Sequence, residues 1–323
     1  QEVADHFPRE SDGFNKLVDK ILSFDELNLD DKKTLSSRPI LESFIKNPIL
    51  IDMLNCPLMY YGNAREGDMD FYQFVIMFKS IFVEGFAKPV GGMHYILHLL
   101  EEKFKQLGGE LCMGSGVTSI NTENEKVESV TLKNGEKLMA KTVISSMGYI
   151  ETLNHCAPGL KETEECEVGQ VSFMESLCVV DREPRDLGYD KSIVFFSTHP
   201  QFDYKVPDEM INVTTGVLCC SNNFDYPEPM KEGLIRLTNL ANFAQWDILM
   251  RKDYIAAKNH WRNRALESVF KFFPDFRNNV LFLDSFTPKT IKKYTGHLNG
   301  AVYGSPQKIK NGKTPINNLF ICG

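Results

Sequence analysis

Residues 88–120 read Lys-Pro-Val-Gly-Gly-Met-His-Tyr-Ile-Leu-His-Leu-Leu-Glu-Glu-Lys-Phe-Lys-Gln-Leu-Gly-Gly-Glu-Leu-Cys-Met-Gly-Ser-Gly-Val-Thr-Ser-Ile, and they concentrate the spacings that could do chemistry. Pro89 and the Gly91-Gly92 pair lead a loop into a helix start, where free backbone N–H groups and the positive dipole end can face a polar ligand. An ordinary helix start would read the same way. His94 and His98 lie one helical turn apart, the spacing of a metal pair. Tyr95, Ile96 and Leu97 supply no Glu between them, and Glu101 and Lys105 flank the pair, so a solvated face is the better reading and no metal site is expected. Gly114-Ser115-Gly116 imitates the start of a dinucleotide fingerprint, but the third glycine is missing and the segment opens a strand, so its plain role is a turn. The chain holds no G-x-S-x-G and no Walker motif, which removes hydrolase and P-loop chemistry. No acid–base dyad stands out, and no catalytic side chain is assigned.

The elements that must position this stretch follow from periodicity. Met93, Ile96, Leu97, Leu100, Phe104 and Leu107 share one face at helical spacing, and that face is predicted to be buried. Gly108-Gly109 ends the helix as a left-handed cap. Glu110–Met113 and Val117–Ile120 read as strands on either side of the Gly-Ser-Gly hinge. Upstream, 12–22, 40–54 and 69–83 read as helices punctuated by Pro8, Pro39, Pro48 and Pro57. Downstream, Asn134-Gly135 joins apolar runs at 127–132 and 138–144 into a hairpin, making 117–144 a small antiparallel meander. Strands are predicted at 171–180, 192–197, 213–220, 280–286 and 319–322, and a long helix at 253–272.

With Pro-Val-Gly-Gly-Met, the helix, Gly-Gly-Glu and Ser-Gly-Val-Thr-Ser-Ile on the page, the stretch resembles the central segment of the phytoene desaturase, carotenoid isomerase and retinol saturase group of FAD-dependent oxidoreductases. The match continues through 126–135 and 143–149, and resumes at Tyr294–Gly304 and at Asn318-Leu319-Phe320-Ile321-Cys322-Gly323. Ser145-Ser146-Met147 departs from the Ser-Asn-Ala of many members. The resemblance implies an α/β (α+β mixed) flavoprotein with a discontinuous FAD domain and a substrate domain. Residues 1–88 become a helical substrate-side region, 89–149 the central FAD segment, 150–280 the substrate domain and 281–323 a return to the FAD domain. It further implies FAD as cofactor, with the backbone of Val117 holding the adenine end, Gly91 and Gly92 allowing close approach, and Gly323 beginning a turn over the cofactor. The implied activity is desaturation, saturation or isomerisation at C–H or C=C bonds of a carotenoid or other isoprenoid. An amine-oxidase-like enzyme, and a prenyl-binding carrier of the Rab escort or GDP-dissociation-inhibitor type, are the rival readings.

Length and composition agree with two domains: 323 residues, 42% hydrophobic, 24% charged and a net charge of −7. The acidic balance offers no footprint for nucleic acid. The absence of a C-x-x-C pair among eight cysteines argues against a zinc ribbon or redox pair and points to core thiols in a reducing compartment. Neither Gln1 nor Gly323 looks like a natural terminus, so a fragment is expected that by itself binds flavin poorly. Asn212-Val213-Thr214 matches a glycosylation sequon by chance in a strand-like run. Phe71, Tyr72, Phe74, Phe78, Phe82 and Phe86 crowd the approach to the Gly-Gly loop. Core packing, or an aromatic-lined tunnel for a long apolar substrate delivered from a membrane surface, would use them equally well.

Overall fold

The computed structural model describes residues 1–25, 34–157, 167–226, 228–309 and 311–322. In chain order the helices and strands are α1 (Glu2–His6), α2 (Ser11–Leu22), α3 (Ser37–Phe44), α4 (Pro48–Gly62), α5 (Phe71–Phe78), α6 (Gly92–Gln106), β1 (Val117–Glu123), β2 (Lys126–Leu132), β3 (Lys137–Met139), β4 (Val143–Ser145), α7 (Tyr149–Asn154) and β5 (Cys156–Ala157). There follow β6 (Ser172–Val180), β7 (Ile193–Ser197), β8 (Thr215–Cys220), β9 (Gly233–Ala241), α8 (Phe243–Asp247), α9 (Arg251–Val269), β10 (Val280–Phe286), α10 (Pro288–Thr295) and β11 (Leu319–Ile321). They divide into two compact units, Gln1–Gly85 with Val168–Pro306, and Phe86–Glu167 with Gln307–Gly323.

In the first unit, local sequence sets the helix boundaries. Pro48 sits in the first turn of α4, where its missing N–H costs nothing, and Asn47 caps that turn by accepting from Ile49 N at 2.9 Å. The single helix predicted over 40–54 is therefore two. Asp68 ties α3 to the approach of α5: its carboxylate accepts from Ser36 Oγ, from Ser37 Oγ at 2.6 Å and from Met69 N at 2.8 Å. Phe71, Phe74 and Phe78 stack in series inside the helical core at ring spacings of 5.9 Å. Beyond Phe78 the helix widens into a π-helical turn, Lys79–Glu84, and stops at Gly85, whose φ is +81°. Core packing thus accounts for Phe71, Tyr72, Phe74 and Phe78, whereas Phe82 and Phe86 are exposed.

A five-stranded antiparallel sheet ordered β10-β6-β9-β8-β7 carries the rest of this unit. On one face Cys178, Val180, Leu218, Ile235 and Leu237 pack beneath Ala265, Leu266 and Val269 of α9. On the other, Phe173, Val217 and Leu240 join the helical core of α2 to α5. Each such buried side chain contributes about 1.5–3 kcal/mol. Val280–Phe286 is the edge strand of this sheet, paired with β6 from Val280–Val180 to Phe286–Glu175. β10 thus lies in the first unit, and the chain enters the second again at Gln307.

The second unit holds a sheet ordered β3-β2-β1-β5 and a two-stranded parallel pair, β11 with β4. The Asn134-Gly135 turn forms as predicted, with Gly135 at φ +86°. Val143–Ser145, however, pairs with Leu319–Ile321 rather than returning along the meander. Asn318 fixes that exchange: its Oδ1 accepts from Val127 N at 2.7 Å, and its Nδ2 donates to Val127 O and Lys141 O. Glu110–Met113 forms no strand. The predicted burial of the α6 face is also corrected, since Met93 is 61% and Leu100 61% exposed and nothing among the described residues lies over them. Periodicity identifies an apolar face without supplying the surface that covers it.

Candidate functional site

The Gly91-Gly92 turn is built for backbone access. Gly91 and Gly92 have φ of +87° and +73°, conformations that side chains disfavour. A Cβ added at Gly92 would meet nothing within 4 Å. Gly92 N donates to Pro89 O at 2.8 Å, but no side chain caps α6 and no acidic residue stands in its first turn, so the N–H groups that follow Gly92 can face a polar or anionic group. His94 and His98 are exposed, and His98 Nε2 lies 3.4 Å from Glu102 Oε1. No group of three or more His, Cys, Asp or Glu side chains among the described residues is placed to hold a metal ion.

Val117 opens β1 at an unpaired edge. It stands opposite Leu132. Leu132 N donates to Glu136 O at 2.8 Å and Lys133 N to Gly116 O at 2.8 Å, so Val117 and Leu132 form a non-hydrogen-bonded pair. The backbone groups of Val117 therefore point away from β2. On that side, among the described residues, the parallel β5 pairs with Ile120 and Asn121. What remains among the described residues is an N–H and a C=O on a strand edge, able to pair with a matching donor and acceptor. Val117, Gly91 and Gly92 lie in the same compact unit; Gly323 lies outside the described residues. Behind them Ser145 is buried at the end of β4 and accepts from Thr152 Oγ1 at 2.7 Å, while its carbonyl accepts from Cys322 N. An Asn at position 146 is thus not needed to close this turn.

In the first unit Tyr60 stacks on Phe173 at 5.7 Å, its hydroxyl lies 3.0 Å from Thr215 Oγ1, and its carbonyl accepts from the Tyr303 hydroxyl. Burial pushes Tyr60, Tyr204 and Tyr303 well above the usual phenol range, so they act as neutral hydrogen-bonding groups. Asn212 is engaged locally, its Oδ1 accepting from Thr214 N at 2.8 Å and Thr214 Oγ1 at 2.7 Å. Sequence reasoning missed Asn318, Asp68 and the Glu175–Arg236 pair, because each joins positions distant in the chain and carries no local signal.

The thiols behave as core fillers. Burial raises Cys56, Cys178 and Cys220 to about 12; beside Cys56, Asp52 adds to the effect. Cys166 lies outside the described residues. In native protein at neutral pH, iodoacetamide labelling read by mass spectrometry should mark exposed Cys112 and spare these three until the chain unfolds. Their folded pKa exceeds the unfolded value of 9.0, so the stabilisation is intact below pH 9 and falls as pH rises from 9 towards 12. Denaturation midpoints measured across that window should drop.

Residues 5–163 match the family described as flavin containing amine oxidoreductase. The 4,4'-diaponeurosporene oxygenase of Staphylococcus aureus strain USA300 is 25% identical over 305 residues, covering 86% of this chain and 58% of the relative. The chain therefore spans little more than half the length of that curated relative. Among solved structures, an oxidoreductase from Methanosarcina mazei superposes with a TM-score of 0.62 at 17% identity over 96% of this chain and 67% of that one. Cyclohexylamine oxidase from Brevibacterium oxydans IH-35A superposes with a TM-score of 0.56 at 12% identity, over 98% of this chain and 69% of that one. The fold is that of flavin-dependent amine oxidases, as the resemblance implied.

Proposed function

We propose, on the premise that the chain is a phytoene desaturase-like relative of the flavin-containing amine oxidoreductases, that it serves an FAD-dependent oxidation or isomerisation of a long apolar, carotenoid-like substrate. One observation carries this reading: the relationship to a carotenoid-named oxygenase runs through both compact units rather than through a cofactor motif alone. Bound FAD supplies the hydride-accepting chemistry. The chain's own residues bind and orient. The open edge at Val117 offers N–H and C=O to the adenine end, and the Gly91-Gly92 turn admits a polar portion of the cofactor to the uncapped start of α6; the resemblance assigns Gly323 to the same cofactor. Residues 89–149 belong to the cofactor side, and the five-stranded sheet of 168–306 to the substrate side.

No helix among the described residues is long and apolar enough to cross a membrane. Exposed Phe82 and Phe86 support substrate access by peripheral contact with a bilayer surface. Bleaching of the bound flavin under anaerobic conditions tests the reading. A C30 or C40 polyene in vesicles should reduce the flavin, and Phe82→Asp should slow that reduction roughly tenfold while leaving flavin content unchanged, as expected when apolar contact area is lost. Efficient reduction by a small amine in plain buffer would contradict the proposal and favour an amine-oxidase activity.

A further inference from the structure

The two faces of the five-stranded sheet are not equivalent. One is sealed by α9 along its length. The other is sealed only where the helical core meets it, over Phe173, Val217 and Leu240. Further along the same face, the register places Leu177 beside Arg236, and Val179 beside Leu234 and Phe282. These apolar residues are partly accessible, Phe282 at 58%, and none joins a packed cluster among the described residues.

Where the sealed part ends stands a polar group that an apolar ledge does not need. Glu175 Oε1 lies 2.9 Å from Arg236 Nε, and Glu175 Oε2 accepts from Thr238 Oγ1 at 3.1 Å. Glu175 is 13% exposed and Arg236 41%. The buried Nε–H points off the line to the carboxylate, so charge rather than an aligned hydrogen bond holds this pair. The Nη groups of Arg236 have no protein partner among the described residues. Tyr61 borders the same place, its ring 5.5 Å from Phe195 and its hydroxyl pushed up to about 12 by burial, with Cys219 and Glu175 adding and Arg236 opposing.

We propose that this ledge is a recognition site for the oxygenated end, a hydroxyl or carbonyl, of a long apolar molecule, with Arg236 as the donor. Glu175 and Thr238 hold the guanidinium in position, and the apolar body lies along Leu177, Val179, Leu234 and Phe282. Glu175 already neutralises Arg236, and a ligand carboxylate would sit close to a like charge, so a neutral oxygen is the better partner. A hydrocarbon covering the ledge would strip water from the Nη groups and return nothing, which penalises the ligand that lacks the oxygen. The inference rests on the reading that this unit takes a hydrophobic substrate.

The test compares all-trans-retinol with its deoxygenated hydrocarbon, binding to the full chain in mild detergent, by quenching of Trp246 and Trp261 fluorescence. Wild-type protein should bind retinol about tenfold more tightly. Arg236→Met should bring the ratio to about one while hydrocarbon affinity stays within about twofold, and Arg236→Lys should keep a ratio of about three. No preference in wild type, a preference that survives Arg236→Met, or an equal loss for both molecules would each overturn the site. Should Arg236→Met fail to fold, the wild-type ratio and Arg236→Lys decide. Binding of the hydrocarbon without preference overturns this inference alone; binding of neither molecule overturns the hydrophobic-substrate reading as well.

Discussion

Gly300→Ala should remove about 4 kcal/mol of stability, enough to unfold a marginal domain. Gly300 has φ +57°, and a Cβ there would fall within the contact radius of the Pro288 carbonyl oxygen at the start of α10. Neither side can yield. Pro288 is held by the Thr287–Thr290 capping box, and the Gly300 carbonyl accepts from buried Ser172 Oγ at 2.6 Å. Two residues on, Val302 N donates to Val171 O at 3.0 Å, so a shift of this turn would pull on the lead into β6. Gly304→Ala is the internal control. Its φ is +64° but an added Cβ meets nothing within 4 Å, so only the conformational cost of about 1–2 kcal/mol should appear. Urea midpoints of the two variants separate strain from collision. Equal midpoints would show that the packing of Gly300 against α10 is not as described.

Trp246→Ala should cost about 3–5 kcal/mol, the range for deleting the largest buried side chains. Trp246 is fully buried at the end of the sheet, its Nε1 donates to Met210 O at 2.9 Å, and its ring meets the edge of Tyr254 at 5.8 Å. The alanine variant loses the packing and one of the two donors to the Met210 carbonyl, which keeps its bond from Asn242 N at 3.0 Å. Trp246→Phe retains most of the packing and should cost about 1 kcal/mol, chiefly for the lost indole hydrogen bond. Thermal unfolding resolves the two. A loss below about 1 kcal/mol for the alanine variant would mean that this core collapses around the gap.

What could be read from the sequence divides along a physical line. Strands β6, β7, β8 and β10 and helix α9 were predicted within a few residues, because alternation and helical spacing are local properties of the chain; β9 was not predicted. The Asn134-Gly135 turn was legible for the same reason, as was the left-handed cap at Gly108. Pairing was not legible. Val143–Ser145 reads as the last strand of a meander, yet it binds Leu319–Ile321, a partner selected by Asn318 from far along the chain. Val280–Phe286 reads as a buried strand, and nothing in its residues says which sheet it completes. The apolar face of α6 was identified correctly, but burial depends on a covering surface that the helix does not encode. At the candidate site, the glycines at 91 and 92 announced themselves, and the open edge at Val117 followed only from the hydrogen bonds of Leu132 and Lys133. Glu175 and Arg236, on neighbouring strands one register step apart, became a pair only once the ladder of β6 and β9 was known.

The central claim is flavin dependence, and the most direct measurement is the flavin content of protein produced from its complete reading frame and purified gently without added cofactor. The account predicts flavin absorption bands in the folded protein, FAD released intact by acid denaturation in a ratio of about one per chain, and loss of most of it in Val117→Pro, which removes the edge N–H. Colourless protein that takes up no FAD on reconstitution, yet unfolds cooperatively and binds an isoprenoid, would contradict it and favour a carrier.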